Sequence, residues 1–209
     1  MAAPAAADPE RCRSVLVGLL APLAPDDAGG WATALIAEFG SLPGLLCASH
    51  EAKLRVIGDR PDAVALIEAV GHALSHAAGM AFRQGPVLAG LDALLTYLRL
   101  EQAFSLIELA RVLHLDTKNH LIKDEVISRG TIDEAAIHVR EVIRRAVELH
   151  SAAIILVHNH PSGDPTPSRS DIELTRRIAR AGQPLGIALH DHLIVASGGH
   201  SSMRTLGLL

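Results

Sequence analysis

The sequence predicts an α/β protein in which a small all-helical N-terminal region precedes a domain built on a mixed sheet. Apolar residues recur at helical spacing, with Gly and Pro breaks, from about Pro9 to Tyr97. From Glu108 onward, short apolar runs alternate with amphipathic segments, as strands alternate with helices in α/β domains. The 209 residues, 49% of them hydrophobic, are enough for one or two domains with proper cores.

The front region predicts short helices separated by turns. Arg11 to Ala24 carries apolar residues at helical spacing and is broken by Asp26-Asp27 and Gly29-Gly30. Gly40 predicts the end of a second helix, and Pro43 lies in the first turn of a short third one. The predicted helices cover residues 11–24, 31–39, a short segment from 41, 60–76 and about 91–102, with a looser linker over 79–90.

The back region predicts strands and helices in alternation. Two strands, 110–115 and 120–127, flank the turn Asp116–Asn119. Asp133 is the expected cap of a helix over 134–150, with an inward stripe of Ile137, Ile143, Ala146 and Val147. A strand over 152–157, a helix over about 170–181 and a last strand near 186–196 complete the pattern.

Composition excludes several classes of protein. Cys12 and Cys47 are too few and too scattered for a disulfide framework, and neither has a Cys-x-x-Cys partner for thiolate zinc. The first residues, MAAPAAADPE, have no basic region before an apolar segment, so they predict a loose arm and not a signal peptide. No apolar run approaches the length that a membrane span needs. We therefore expect a cytoplasmic protein with no membrane partner.

The charge distribution gives weak support to a nucleic-acid binder. The net charge is −4, with six Lys/Arg and ten Asp/Glu before residue 97 and thirteen of each after it. Non-specific binding to DNA depends on neutralising phosphates, which an acidic front half and a neutral back half do poorly.

The most informative stretch is Ile154 to Ile172, IILVHNHPSGDPTPSRSDI. Alternate residues of a strand face the same side, so His158 and His160 can present both imidazoles to one point. Asp171 follows eleven residues later, in what the pattern predicts to be the first turn of a helix. Two imidazoles, one carboxylate and a fourth position left for water make the ligand set of a catalytic zinc site.

Each part of this motif also has a structural interpretation. A chain with twelve histidines contains some His-x-His pairs by chance, and a histidine at a strand end is commonly a packed or partly exposed residue. Ser168 followed three residues on by Asp171 is also a helix N-cap pattern. The combination of strand, His-x-His, turn and helix start favours the metal.

The spacing of these residues resembles a known family. His158-x-His160, seven residues, Ser168, two residues and Asp171 match the signature of JAMM (MPN-plus) metalloprotein domains. The longer string, with GTID upstream and HDHLIV downstream, closely resembles bacterial RadC proteins, from about Glu108 to Leu209. The resemblance implies a flexible arm over 1–10, a helical domain over 11–90 and a JAMM/MPN-like domain over 91–209.

The resemblance also implies roles for individual residues. His158, His160 and Asp171 would hold one Zn²⁺, although this ligand set also accepts iron or manganese. Glu108, just before the predicted strand, matches the position of the general base, with Glu125 in the neighbouring strand as the alternative. Ser168 would stabilise the oxyanion. Asn159 should point away from the two histidines, as a scaffold or substrate contact.

Two further segments are weaker signals. RadC-like proteins carry a helix-hairpin-helix turn near Gly58, but Ile57–Pro61 has one glycine and an added carboxylate, which favours a packing or docking domain over DNA binding. His190-Asp191-His192 is a second His-x-His without a following carboxylate loop. We interpret this motif as a hydrogen-bonding partner of the site, in which Asp191 or one histidine orients a metal ligand.

The leading functional hypothesis is a zinc-dependent amide hydrolase resembling JAMM peptidases and isopeptidases, acting on a peptide or protein. The alternatives are a metal-dependent nuclease or accessory factor linked to DNA repair, and a non-enzymatic interaction module that uses zinc as a clamp. The substrate and the oligomeric state do not follow from the sequence.

Overall fold

The structure is a computed structural model that describes residues 8–130 and 137–209, apart from the side chain of Leu88. By internal contacts the chain forms two compact units, residues 1–77 and 78–209. The division falls inside one long helix, earlier than the domain boundary at 90/91 that the sequence suggests, and the domain assignment stays a prediction. The predicted arm lies mostly, over residues 1–7, outside the described part of the chain.

The first unit contains helices α1 to α4 and the start of α5: Pro9–Leu20, Ala28–Phe39, Leu42–Cys47, His50–Ile57 and Pro61–Arg83. Caps explain several of the boundaries. The Asp8 carboxylate accepts hydrogen bonds from the first amides of α1, Ser41 caps α3, and Gly40 ends α2 with a φ of 72°. The core of this unit is formed by buried side chains of its helices, among them Leu16, Leu20, Leu35, Leu45 and Ile67.

Two helices of this region differ from the prediction. Helix α4 was not predicted, and its start is marked by the Ser49 side chain, which accepts from Ala52 N. The predicted linker over 79–90 was wrong at its start, because α5 continues through Gly79 to Arg83. Phe82 is buried there, and its ring centroid lies 5.1 Å from that of Tyr97. Tertiary packing thus outweighs the poor helix propensity of glycine.

Helix α5 also bears on the membrane expectation. Among the described residues it alone is long and apolar enough to span a bilayer by length and composition. Polar residues interrupt it, which is why no continuous apolar run is visible in the sequence. One such helix is weak evidence of a membrane segment, because core helices of soluble proteins can be equally long and apolar.

The second unit is a five-stranded mixed sheet with helices, as the sequence predicted. After a short 3-10 turn, Val87–Gly90, helix α6 covers Leu91–Gln102. The strands β1 to β5 are Glu108–Leu115, Leu121–Gly130, Ala153–Asn159, Ala188–Ala196 and Gly199–Ser202. Their order in the sheet is β2-β1-β3-β4-β5, and only β3 and β4 are parallel. Two helices, α7 (Val139–Glu148) and α8 (Arg169–Gly182), flank the central strand in sequence.

Both faces of the sheet are packed. One apolar cluster joins Phe82 and α6 to Leu113, Ile155, Val157 and neighbours, and the other joins α7 and α8 to Val112, Ile154 and Leu156. This two-sided burial explains why β3 is a continuous apolar run in the sequence and not an alternating one.

Three details of this unit correct or limit the sequence prediction. Helix α7 buries Val142 and Ala146, whereas Val147, placed in the inward stripe, is 50% exposed. Residues four apart share one side of a helix, so the stripe follows 142 and 146. The final strand β5 was missed, because GHSS contains no β-branched or aromatic residue. The predicted cap Asp133 lies outside the described residues.

Candidate metal centre

Two histidines stand at the end of β3. His158 lies in the strand, 1% exposed, and His160 follows where its amide still bonds to Val195 O of β4 at 3.1 Å. The continued extended backbone keeps both imidazoles on one side, with their Nε2 atoms 2.9 Å apart. The His160 ring is held by a hydrogen bond at its other nitrogen, because Nδ1 lies 2.8 Å from the carbonyl oxygen of Asp164.

The carboxylate of Asp171 reaches the same point from the first turn of α8. Ser168 is the N-cap, and its side chain accepts from Asp171 N at 3.1 Å while Asp171 Oδ2 accepts from Ser168 N at 2.8 Å. This reciprocal pair is a capping box, and it fixes the Asp171 rotamer. Asp171 Oδ1 lies 3.3 Å from His158 Nε2, and Oδ2 lies 3.5 Å from His160 Nε2.

These three side chains satisfy the geometric requirement of a metal site. One ligand atom from each of His158, His160 and Asp171 can be chosen so that all lie within 4.8 Å of one another. Atoms that each bond one ion at about 2 Å must lie that close. In the described part of the chain this is the one group of three or more His, Cys, Asp or Glu that converges in this way. The donor set therefore fits a divalent cation.

A buried series of hydrogen bonds lies behind His158. His158 Nδ1 lies 2.7 Å from His192 Nε2, and His192 Nδ1 lies 2.6 Å from Thr175 Oγ1. Thr175 Oγ1 donates to the backbone oxygen of Asp171 at 2.6 Å. These hydrogen bonds link β3, which carries His158, to α8, which carries Asp171. The expectation that one histidine of the 190–192 motif supports a ligand matches His192.

Glu108 begins β1, the strand antiparallel to β3, two residues before Ala110, which pairs with His158. Its carboxyl group is half-buried, and the charges of Asp171 and His160 affect its pKa. Asn159, on the opposite side of β3 from the ligands, accepts from Leu109 N at 2.8 Å and donates to Ile107 O at 3.1 Å. Asn159 is thus a scaffold residue that fixes the backbone around Glu108.

Glu125 lies elsewhere. It pairs across the sheet with Val112, and both of its carboxylate oxygens accept from Arg145 at 2.8 Å. That ion pair holds its pKa below the ordinary value. Of the two candidate bases, Glu108 is the one whose pKa is affected by the charges of Asp171 and His160.

Comparison with known proteins decides the family. The sequence model of the RadC-like JAB domain matches residues 89–208, which is more than half of the chain. The chain belongs to the RadC-like JAB domain family. A UPF0758 protein of Rhodobacter capsulatus is 42% identical over 191 residues, covering 91% of this chain and 89% of that protein. The name of that relative states no activity.

Burial sets the protonation of the inner half of this JAB site. It lowers the pKa of His158 to about 4 and lowers that of His192 well below its ordinary value. Both rings are therefore neutral at pH 7, the form in which an imidazole nitrogen can bind a metal.

In the outer half of the site, Asp171 raises the pKa values of its neighbours His160 and Glu108. Its hydrogen bond raises the pKa of His160. Burial alone would raise the pKa of Asp171, but hydrogen bonds from His160 and Ser168 and the proximity of His158 hold it below the ordinary value. For Glu108, burial and then the charge of Asp171 raise the pKa. A raised pKa makes a carboxylate a stronger base.

Ser168 combines two interactions in the JAB site. Its hydroxyl donates to Asp171 Oδ2 at 2.6 Å and lies 2.8 Å from Ser170 Oγ. The capping function is visible in these bonds. A hydroxyl has one proton, so donation to a substrate oxygen would require that proton to turn away from Asp171.

The loop between β3 and α8 is anchored by glycines. Gly198 N donates to Gly163 O at 3.0 Å, and a Cβ on Gly198 would lie 2.6 Å from that oxygen. Gly163 has a φ of +85°. The turn after β4 therefore holds the metal loop by a close backbone contact that only glycine permits.

The remaining residues of the second His-x-His have structural roles. Asp191 accepts from Ser202 Oγ at 2.6 Å and Arg204 N at 3.0 Å, and His190 Nε2 lies 2.7 Å from Asn119 Oδ1. Thr175 was not among the residues predicted for the site. Its position four residues after Asp171 was the available signal, because i and i+4 share a helix face.

Proposed function

We propose that this protein is a metal-dependent amide hydrolase of the peptidase or isopeptidase type, with Zn²⁺ as the first choice of ion. The observation that supports this proposal most is the convergence of His158, His160 and Asp171 beside Glu108. A purely structural zinc site would close its fourth position with another protein ligand, and the described residues supply three.

The chemistry divides among named side chains. A divalent cation bound by the three ligands would lower the pKa of a water from about 16 to about 7, which supplies a nucleophile at neutral pH. Glu108 would accept the proton of that water and transfer it to the leaving nitrogen. Ser168 would donate its hydroxyl hydrogen to the oxyanion of the substrate, an interaction worth on the order of 3 kcal/mol. Asn159 would keep Glu108 in place through Leu109.

The metal is tested first. Wild-type protein, purified without added metal, should contain about one zinc per chain, and Asp171→Ala should contain much less. Equal zinc in the two proteins would contradict the ligand assignment. Iron or manganese in the wild type would keep the site and change the ion.

The reaction is tested second. Wild-type protein should cleave members of a peptide library, and a chelator should abolish the cleavage. Glu108→Gln should keep its zinc but lose roughly 10²- to 10⁴-fold in rate, the usual contribution of a general base. Glu125→Gln is the matched control and should stay close to wild type. Labelled single- and double-stranded DNA belong in the same experiment, since chelator-sensitive cleavage of DNA alone would favour a nuclease.

A further inference from the structure

Two serine hydroxyl groups lie against each other at the start of α8, beside the candidate ligand Asp171. Ser168 is the N-cap of the helix, and Ser170 is its second residue. Their Oγ atoms are 2.8 Å apart, and both residues are exposed. A hydroxyl group has one hydrogen to donate and two lone pairs that accept, so the other contacts of Ser168 decide which of the two serines donates.

The contacts of Ser168 Oγ leave one direction for the bond to Ser170. Ser168 Oγ accepts from Asp171 N at 3.1 Å, which occupies one lone pair. Its hydrogen is donated to Asp171 Oδ2 at 2.6 Å, and a bond to an ionised carboxylate is stronger than one to a neutral hydroxyl. Ser170 must therefore be the donor, and its hydrogen occupies the second lone pair of Ser168 Oγ.

The role proposed for Ser168 requires the same hydrogen. To donate to an oxyanion, Ser168 must turn its hydrogen away from Asp171 while its oxygen keeps the two bonds that it accepts. Asp171 is a weaker acceptor when it shares its charge with a cation, which favours this turn. The bond from Ser170 keeps the Ser168 oxygen oriented, and it polarises the hydroxyl group so that the hydrogen is donated more strongly.

From this geometry we propose that Ser170 is a positioning residue, which acts through Ser168 and orients the Ser168 hydroxyl for donation to the oxyanion of the substrate. The proposal rests on the amide-hydrolase function proposed above and adds a residue to the same site. The influence of Ser170 passes through one hydrogen bond, so it requires the hydroxyl group of Ser168.

Other hydroxyl groups of the loop before α8 are engaged within that loop. Thr166 Oγ1 donates to Asp164 Oδ1 at 2.7 Å, and Ser162 Oγ accepts from Asp164 N at 3.4 Å. In the described part of the chain, Ser170 is the one hydroxyl side chain that bonds to Ser168. Ser162 is exposed like Ser170 and belongs to the same loop, so it provides a matched control.

The hydrogen bond between the two serines is tested without metal and without hydrolysis. Denaturant unfolding of the full chain in the presence of a chelator compares Ser168→Ala, Ser170→Ala and the double variant. In Ser168→Ala the Ser170 hydroxyl has lost its acceptor, so adding Ser170→Ala should cost less stability there than in the wild type. Additive losses would mean that the two hydroxyl groups do not interact, which would overturn the proposal.

The rate of peptide cleavage with zinc present tests the positioning role. Ser170→Ala should lower kcat about three- to fivefold, the effect of one neutral hydrogen bond. KM should hardly change, because the oxyanion forms only in the reaction and not in the bound substrate. Ser170→Thr restores a hydroxyl group and should recover most of the rate. Ser162→Ala should keep the wild-type kcat, and all these variants should contain as much zinc as the wild type.

The double variant distinguishes an effect through Ser168 from an independent one. Ser168→Ala/Ser170→Ala should be no slower than Ser168→Ala, whereas a loss equal to the product of the two single losses would overturn the proposal. If the wild type cleaves peptides and Ser170→Ala behaves like Ser162→Ala, the positioning role fails alone. If the wild type cleaves no peptide, the hydrolase proposal fails and the positioning role fails with it.

Discussion

The tautomer of His158 follows from the contacts of its two ring nitrogens. Its Nε2 faces His160 and Asp171, and its Nδ1 faces His192 Nε2 at 2.7 Å. For Nε2 to bind a cation, the proton of the neutral ring must sit on Nδ1 and be donated to His192. His192 then donates from its own Nδ1 to Thr175, which donates to Asp171 O. Every donor in this buried chain has one acceptor.

Thr175 should therefore control metal affinity without touching the metal. Thr175→Val keeps the size and shape of the side chain but removes the acceptor of His192, and we expect zinc affinity to fall about 10- to 100-fold, the usual effect of an outer hydrogen-bond partner. Competition with a chromophoric chelator measures this affinity. Thr175→Ser restores the hydroxyl and should recover most of it. Equal weakening in both variants would mean that packing, and not the hydrogen bond, matters at this position.

The buried histidines also predict the pH dependence of stability in the metal-free protein. The pKa of His158 is lowered to about 4 from the ordinary 6.5, so the unfolded chain takes up this proton at a higher pH than the folded one. The contribution of His158 to the free energy of unfolding is therefore fully present above pH 6.5. It is lost as the pH falls towards 4, by about 3 kcal/mol at most. The raised pKa of His160 acts in the opposite direction, because its protonated form is favoured in the folded state.

The pH dependence of the free energy of unfolding is measured by urea unfolding in the presence of a chelator, repeated between pH 7.5 and about 4.5. Wild type should lose stability steadily below pH 6.5. His158→Gln cannot take up a proton at this position, so its slope with pH should be smaller whatever its absolute stability. An unchanged slope would contradict the burial argument for His158.

Among the elements, α8 connects its own stability to the geometry of the site, because its capping box is made by Ser168 and the candidate ligand Asp171. Ser168→Ala removes the side-chain acceptor for Asp171 N, and we expect a loss of about 1 kcal/mol in the free energy of unfolding of the metal-free protein. Denaturant unfolding measures it. Ser168→Thr keeps a capping hydroxyl and should lose less, so a similar loss in both would contradict the capping explanation.

Sequence patterns predicted the central residues of the site better than the segments and residues that support them. The His158–His160–Asp171 group could be predicted, because strand alternation and a helix start follow from local residue order. Helix α4 and the extension of α5 to Arg83 could not, since Ser49 is an ordinary loop residue by pattern and Phe82 is buried through contact with a residue distant in sequence. The position of Thr175 four residues after Asp171 indicated a shared helix face, but its hydrogen bond to His192 exists only once β4 brings His192 against α8.

At the scale of the whole molecule, the site lies where the sheet changes from antiparallel to parallel. Strands β3 and β4 form the one parallel pair, and α8 crosses between them. In α/β sheets the carboxyl ends of parallel strands form the crevice in which ligands bind. His158 and His160 stand at that end of β3, and Gly198 follows that end of β4. The three candidate ligands His158, His160 and Asp171 thus all lie within residues 78–209. The supporting residues His192 and Thr175 and the candidate base Glu108 lie in the same unit.

This arrangement predicts that metal binding does not require the first four helices. A fragment of residues 59–209 keeps α5 whole together with both apolar clusters of the second unit, so it should retain sheet content by circular dichroism and bind zinc within about threefold of the full chain. The fragment exposes Val64 and Ile67, which are buried in the full chain. A second version with Val64→Asp and Ile67→Asp guards against aggregation. If the soluble fragment is folded but binds no zinc while the full chain does, the metal centre depends on the helical unit.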